Sequence, residues 1–201
     1  MRIHAKEKKE RALGTPLFLK AQRSNSPKSA LVKKPYGPGQ HGQKRKRGRP
    51  SEYGKQLKEK QKIQISFGLT DKQMRAIFKQ PKEKIVGILR ERLDYVVFLS
   101  GFVESPRIAR QIVSHGHITI NGKKMTIPSY HVTVGDIVSI RNESRASKLF
   151  EEMSERLKKS TAPSWLKVDA QNLKAECINP SASEDVQFPF DLSLVGEFYS
   201  R

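Results

Sequence analysis

Arg107, Arg110, Gln111 and Ser114 are spaced at i, i+3, i+4 and i+7, which puts them on one face of a helix that holds no acidic residue. The chain continues through His115-Gly-His117 to Asn121-Gly122 and then Lys123 and Lys124. Guanidinium and ammonium groups neutralise phosphates, while Gln and Asn amides reach sugar hydroxyls or base edges. Solvation alone is the commoner reading of any one polar helix face, but a face free of acids weighs against it. A metal is not expected at the two histidines. At i, i+2 across a helix-to-strand turn they should point apart, and no Cys, Asp or Glu lies within five residues on either side. Their imidazoles suit hydrogen bonds to phosphate or ribose, or a cap on the helix end.

A second constellation lies upstream. Lys44-Arg-Lys-Arg-Gly-Arg49 sits between Pro35-Tyr-Gly-Pro-Gly-Gln-His-Gly42 and Pro50. Pro and Gly keep this stretch out of helix and sheet and let the backbone approach a phosphate chain closely. On its own the cluster reads equally as a solvated tail or a localisation signal; between these Gly/Pro-rich elements the expectation is a segment that lies along nucleic acid and orders on binding. The candidate RNA-binding residues here are Lys33, Lys34, Gln40, His41, Lys44, Arg45, Lys46, Arg47 and Arg49, followed by Tyr53, Lys55, Lys58 and Lys62. Those of the first constellation are Arg107, Arg110, Gln111, His115, His117, Asn121, Lys123 and Lys124. Catalytic signatures are missing: there is no Walker-type glycine loop, no nucleophile elbow and no carboxylate pair anchored by a motif. The single cysteine, Cys177, excludes an internal disulfide and a Cys-rich zinc site. It lies in an apolar alternation and reads as an inert core thiol.

The charge of the whole chain agrees with this chemistry. Its 201 residues carry 39 Lys+Arg against 20 Asp+Glu, a net of +19. Residues 1–62 hold 19 basic and 4 acidic side chains, a net of +15, and residues 63–201 hold 20 and 16, a net of +4. From Thr161 onward the balance is 3 basic to 6 acidic. Such polarity implies a basic arm on an ordinary globular body with a polyanionic partner. No apolar run approaches the roughly 18 residues of a membrane span, and no apolar stretch follows the first charges as in a secretory signal. A soluble intracellular protein is expected.

The elements that must position these residues can be read from punctuation and periodicity. Ser51 caps a helix over 52–66 that Gly68 stops, with a thin apolar stripe of Tyr53, Leu57 and Ile63 or Ile65. Thr70-Asp-Lys-Gln73 has the form of a capping box, with Met74, Ile77 and Phe78 inward and Pro81 at the end. Residues 84–100 read as one long buried helix. Ser105-Pro106 starts another whose apolar side is Ile108, Ala109, Ile112 and Val113. Three short strands follow: His117–Ile120 and Lys123–Ile127 around the Asn-Gly turn, then Ile137–Ile140. Leu149, Phe150, Met153 and Leu157 mark a further helix, and the chain after Pro163 is irregular with alternation at Leu173, Ala175 and Cys177.

Arg92-Leu-Asp94, Gly101-Phe102, Arg107-Ile-Ala-Arg-Gln-Ile-Val-Ser-His-Gly-His-Ile-Thr-Ile-Asn-Gly122, Ile127-Pro-Ser-Tyr130 and Val134-Gly-Asp136 together resemble the S-four-type RNA-binding domain. That module also occurs in pseudouridine synthases, tyrosyl-tRNA synthetases and a heat-shock protein, so the flanks decide. Pro38-Gly-Gln-His-Gly-Gln43, Pro50-Ser-Glu-Tyr53, Leu57-Lys-Glu-Lys-Gln-Lys62, Phe67-Gly68 and Glu197-Phe-Tyr-Ser-Arg201 resemble the small-subunit ribosomal protein S-four family. The likeness runs from about Pro35 to Arg201 and leaves no room for a catalytic domain.

The resemblance implies an α+β fold: a mostly helical domain, an inserted RNA-binding module of helices and a small antiparallel sheet, and a basic extended N-terminal arm. The expected boundaries are 1–50 for the arm, 51–91 for the helical domain, 92–152 for the module and 153–201 for a segment returning to the helical domain. It further implies a non-enzymatic ribosomal constituent that binds small-subunit ribosomal RNA early and nucleates assembly. Its place would be beside ribosomal proteins S-three and S-five, where messenger RNA enters and decoding accuracy is affected. In some bacteria the family also represses translation of its own operon. No cofactor, membrane or small-molecule substrate is implied. The location would be the cytoplasmic ribosome, or an organellar matrix or stroma if the gene is organellar. Two departures stand out. Residues 1–34 contain no Cys, so the N-terminal zinc site of many bacterial members is missing, leaving Leu17, Phe18 and Leu19 as the expected anchor. The connection from Phe78 to Ile85 is also short for the family. The alternative reading is a free-standing RNA-binding regulator or RNA-modification factor that uses the same module.

Overall fold

The computed structural model describes residues 6–24, 26–43, 50–147, 149–150, 153, 157, 162–178 and 188–200. The basic cluster Lys44, Arg45, Lys46, Arg47 and Arg49 lies outside them, as does most of the helix expected after Ser144. The chain divides into two compact units, Met1–Ile85 with Phe188–Arg201, and Val86–Gln187.

The first unit is organised on helix α4, Glu52–Phe67, which follows α1 (Lys6–Leu13), α2 (Ala21–Ser24) and α3 (Ala30–Lys33). The Ser51 hydroxyl accepts the Gly54 N–H at its start, and Gly68 ends it in the left-handed region at φ 60°. The stripe on α4 is broader than periodicity implied, because both sides of the helix are covered. Ile65 joins Leu13, Leu17 and Leu19 in one cluster. Phe67 meets Phe188 and Phe190 edge-on at 6.2 and 6.1 Å. Both covering segments are remote in sequence, so the pattern within α4 could not reveal them.

The first fifty residues are not simply an extended arm. Glu10 is buried and its Oε1 accepts the N–H groups of Leu17 and Leu19 at 3.2 and 3.0 Å. Arg11 donates to the carbonyls of Lys34, Tyr36 and Gly37, and its guanidinium lies 5.0 Å from the Tyr36 ring centre. These two polar side chains tie the chain back on itself. Leu17 and Leu19 are buried as expected, but Phe18 is only half-buried, at φ 52°.

Helix α5, Asp71–Phe78, starts with the full capping box of Thr70 and Gln73. Its first residue meets the C-terminal helix α9, Leu192–Tyr199: Asp71 pairs with Lys60 at 2.5 Å and with Arg75 at 2.9 Å, and accepts the Tyr199 hydroxyl at 3.2 Å. Gln56 donates to Glu197 at 2.9 Å, closing α9 onto α4.

The expected long helix is two helices, α6 (Lys82–Arg90), which enters the second unit at Val86, and α7 (Leu93–Leu99). The break comes from a strand-like contact: Arg92 bridges His131, Val132 donates to the Glu91 carbonyl and Leu93 to that of Tyr130, both at 2.8 Å. Helix α8, Pro106–Ser114, leads to β1 (Ile118–Ile120), β2 (Lys123–Met125) and β3 (Ile137–Ile140). Two more strands, β4 (Leu166–Asp169) and β5 (Lys174–Cys177), complete an antiparallel sheet in the order β2-β1-β3-β5-β4. The segment expected to return whole to the helical domain is therefore divided, with 166–177 in this sheet and 188–200 in the first unit. Ala175 pairs with Val138 of β3 and Cys177 with Leu166 of β4, both buried in the core, so short strands replace the irregular stretch. That core joins Val96 and Val97 of α7, Ala109, Ile112 and Val113 of α8, Ile118, Val138 and Ile140 of the sheet, and Met153, Leu157 and Trp165. Ile108 instead faces solvent at 37% exposure.

The Asp71 pairs give the first prediction. Hydrogen bonds from Lys60 and then Arg75 lower its carboxyl to about 2 from the usual carboxylate range. A depressed carboxyl contributes stability above its unfolded value, about 4, and loses it as pH falls toward 2. Asp71 is 44% exposed, so solvent screening limits the gain to on the order of 1 kcal/mol. Amide exchange in Leu192–Tyr199, corrected for the intrinsic pH dependence, should accelerate over that window, and Asp71→Asn should remove the pH effect.

Candidate nucleic-acid interface

Helix α8 is held by its ends and by its inner face. The Ser105 hydroxyl accepts the Ile108 N–H, Pro106 fills the first turn, and Ala109, Ile112 and Val113 pack inward. The outer face is as the spacing predicts, with Gln111, Ser114 and His115 exposed and Arg107 and Arg110 half-buried.

Beneath it lies a charge cluster that the list of candidates missed. Asp94, with 5% of its side chain exposed, receives two bonds from Arg92, Nε to Oδ1 at 3.0 Å and Nη2 to Oδ2 at 2.7 Å. Arg110 reaches the same Oδ2 at 3.4 Å. Burial pushes the Asp94 carboxyl upward, against the two guanidinium groups that favour its charge. A fork-shaped pair of this kind fixes orientation as well as charge. It sets Arg110 in place with 39% of its side chain exposed. The signal was present in the sequence as Arg92-Leu-Asp94, but no spacing rule joins it to position 110.

The hairpin tip is anchored in the same way. Asn121 and Gly122 both have positive φ, 50° and 80°, as a tight two-residue turn requires. Asn121 Nδ2 donates to Asp136 at 2.8 Å and its Oδ1 accepts the Ile137 N–H at 2.9 Å. The Asn121 amide, expected at sugar or base edges, thus has both its atoms committed within the protein. Burial would raise the Asp136 carboxyl, yet bonds from the Thr133 N–H and hydroxyl and from Asn121 hold it below the ordinary range. Lys123 and Lys124 follow, both exposed. The Lys124 stem lies over Gly116, where a Cβ would collide with it, so the ammonium is carried to the turn between the two histidines.

The histidine rings do not point apart: their centres are 6.1 Å from each other. His117 Nδ1 is 3.0 Å from the Ser144 hydroxyl and its ring meets Phe150 edge-on, while His115 stays exposed. Among the described residues no group of three or more His, Cys, Asp or Glu is placed to hold a metal ion. Cys177 is buried, and that burial lifts its thiol to about 11.

The candidates of the first unit form a separate group. Lys33, Lys34, Gln40, His41 and Tyr53 are exposed. Lys55 pairs with Glu52, and Lys58 is half-buried. Lys62 is drawn in, 13% exposed and 2.6 Å from Glu59, so its charge is spent inside the protein. No helix among the described residues is long and apolar enough to cross a membrane.

Removing Asp94 would leave Arg92 charged, buried and unpaired. Asp94→Ala should therefore destabilise this unit by about 3–5 kcal/mol, whereas Arg92→Met with Asp94→Ala should recover most of the loss. Thermal unfolding followed by fluorescence of Trp165, the only tryptophan and buried in the same core, measures both.

Comparison with known proteins bears on these surfaces. Residues 91–138 match the model of the S4 domain, and residues 2–96 match that of the ribosomal protein S4/S9 N-terminal domain. Among curated relatives, the small ribosomal subunit protein uS4 of Thermus thermophilus is 42% identical over 195 residues, covering 94% of this chain and 93% of its own. The uS4 of Chlorobium limicola is 42% identical over 201 residues, 96% of each chain. That of Syntrophomonas wolfei is 43% identical over 195 residues, 94% of this chain and 93% of its own.

Proposed function

The chain belongs to the ribosomal protein S4 family, and we propose from that premise that it is a structural, non-catalytic constituent of the small ribosomal subunit that binds small-subunit ribosomal RNA directly. The observation that carries the reading is the surface made by α8, the His115–His117 turn and the β1–β2 hairpin, which falls within the matched S4 domain. Arg110 is braced from below by Asp94, and the turn that carries Lys123 and Lys124 is braced by Asp136 through Asn121. Bracing lowers the ordering cost of binding and suits recognition of RNA shape. The finer roles follow from family membership alone: nucleation of assembly, neighbours S3 and S5, contact with entering messenger RNA and support of decoding accuracy. Repression of its own operon is a second role of the same origin. The location that goes with this reading is the ribosome.

Co-sedimentation tests the central claim. The protein should travel with purified small subunits and remain after a moderate salt wash; its absence from them would overturn the reading.

Phosphate contacts release counterions, so affinity for naked small-subunit ribosomal RNA should fall with salt at a log–log slope of several units. Combined Lys44→Ala, Arg45→Ala and Arg47→Ala should weaken binding more than Arg107→Ala with Arg110→Ala, as filter binding can measure. Charge density favours the basic cluster, and Arg110 is already engaged with Asp94.

A further inference from the structure

The outer face of the five-stranded sheet carries a polar row that charge counting does not reveal. Cross-strand register places Lys124 opposite Thr119, Thr119 opposite Ser139, and Ser139 opposite Lys174. These four side chains line one cleft of about 750 Å³, together with Arg141 and Arg145 beyond the end of β3. We infer that this cleft is a second RNA contact, which holds a ribose–phosphate strand across the sheet with its phosphates on the basic side chains and a 2′-hydroxyl on the Thr119–Ser139 pair. The inference rests on the reading of the chain as an RNA-binding protein and extends that role from the α8 surface onto the sheet, the two meeting at Lys124.

The charges are available. Neither Lys124 nor Lys174 has an ion pair within 4 Å among the described residues. The carboxylate opposite Lys174, that of Asp169, accepts the Gln171 and Asn172 N–H groups and the Asn172 amide, and Lys174 is a weaker electrostatic partner. Arg145 donates from Nη2 to the Asn172 carbonyl at 3.0 Å, and its Nε is buried, so only the rest of its guanidinium faces the cleft. Arg141 is balanced by Glu143, the one acid in the lining. The excess is positive.

The hydroxyl pair distinguishes the ligand. Thr119 Oγ1 and Ser139 Oγ are 2.7 Å apart, and Thr119 also lies 3.2 Å from the Ser139 carbonyl as a donor. With the Thr119 proton directed to that carbonyl, the Ser139 proton goes to Thr119, and the remaining lone pairs can only accept. In that arrangement the pair accepts a proton from a sugar hydroxyl, the group that ribose adds to a nucleic-acid strand. Lys124 and Lys174 are three strand spacings apart, about 14 Å at the backbone, and the Lys124 stem is held over Gly116. A single phosphate is therefore too small to engage both, whereas a polymer spans them. Among the described residues no aromatic side chain lines the cleft, so the contact is with sugar and phosphate more than with stacked bases.

The test uses the full chain and naked small-subunit ribosomal RNA. Lysine acetylation read by mass spectrometry should show Lys174 protected in the complex. Lys174→Ala should lower the log–log salt slope by about 0.7. With an oligouridylate of about ten nucleotides, within the usual span of single-strand sites, the wild type should bind the ribose form more tightly than its 2′-deoxy counterpart. Ser139→Ala should bring the two affinities together. Binding of the ribosomal RNA with Lys174 unprotected, an unchanged slope and an unchanged ribose preference would overturn this inference alone. Failure of the wild type to bind ribosomal RNA at all would overturn the proposed function, and this inference with it.

Discussion

The second unit depends on a carboxylate nearly removed from water. Asp94 sits at the start of α7, just after the break that the pairing with Tyr130 and Val132 makes, and the three bonds it accepts from Arg92 and Arg110 tie that point to α8. Taking a charge out of water costs several kcal/mol, and the cost is met only while both guanidinium groups stay in place. The arrangement makes the orientation of α8 all-or-none. Its outer cations are presented at a fixed angle, and side-chain freedom that would otherwise be lost on binding is already gone. The same solution is repeated at smaller scale by Asp136, which accepts from Thr133 and Asn121 and so fixes the hairpin to the start of β3.

In the first unit a buried acid again does the organising. Glu10 accepts two backbone N–H groups where the chain turns from Leu17 to Leu19, a bend that would otherwise strand those donors. Arg11, its neighbour, gathers the carbonyl of Lys34 and two more, those of Tyr36 and Gly37, from the Gly/Pro-rich segment. In a chain with no N-terminal cysteine, these bonds hold a region that has few apolar residues of its own.

What could be read from sequence was what is local. Ser51, Gly68, the Thr70 capping box and the Asn121-Gly122 turn are each set within a few residues, and all stand where expected. Whatever required a distant partner was not legible. The 84–100 helix breaks because Tyr130 and Val132 pair with its middle, and 166–177 becomes strand because β3 offers it an edge. The candidate surface divides along the same line. Lys123 and Lys124 could be picked out as exposed charges, but Lys62 and Asn121 carry the same kind of signal and are consumed by Glu59 and Asp136. Thr119 and Ser139, being uncharged and in strands, gave no signal until the register set them side by side.

The division of the chain also bears on the order in which the protein can fold as it is made. Residues 86–187 are contiguous and hold their own core, so that unit can close while synthesis is still under way. Helix α4 is made earlier, yet one of its two apolar sides waits for Phe188, Phe190 and α9. The first part synthesised is therefore among the last completed. Until then, the N-terminal basic residues belong to a half-built unit that exposes apolar surface and carries most of the positive charge. An RNA strand met during that interval would meet an unfinished protein, and burial of α4 and capture of the polyanion would proceed together.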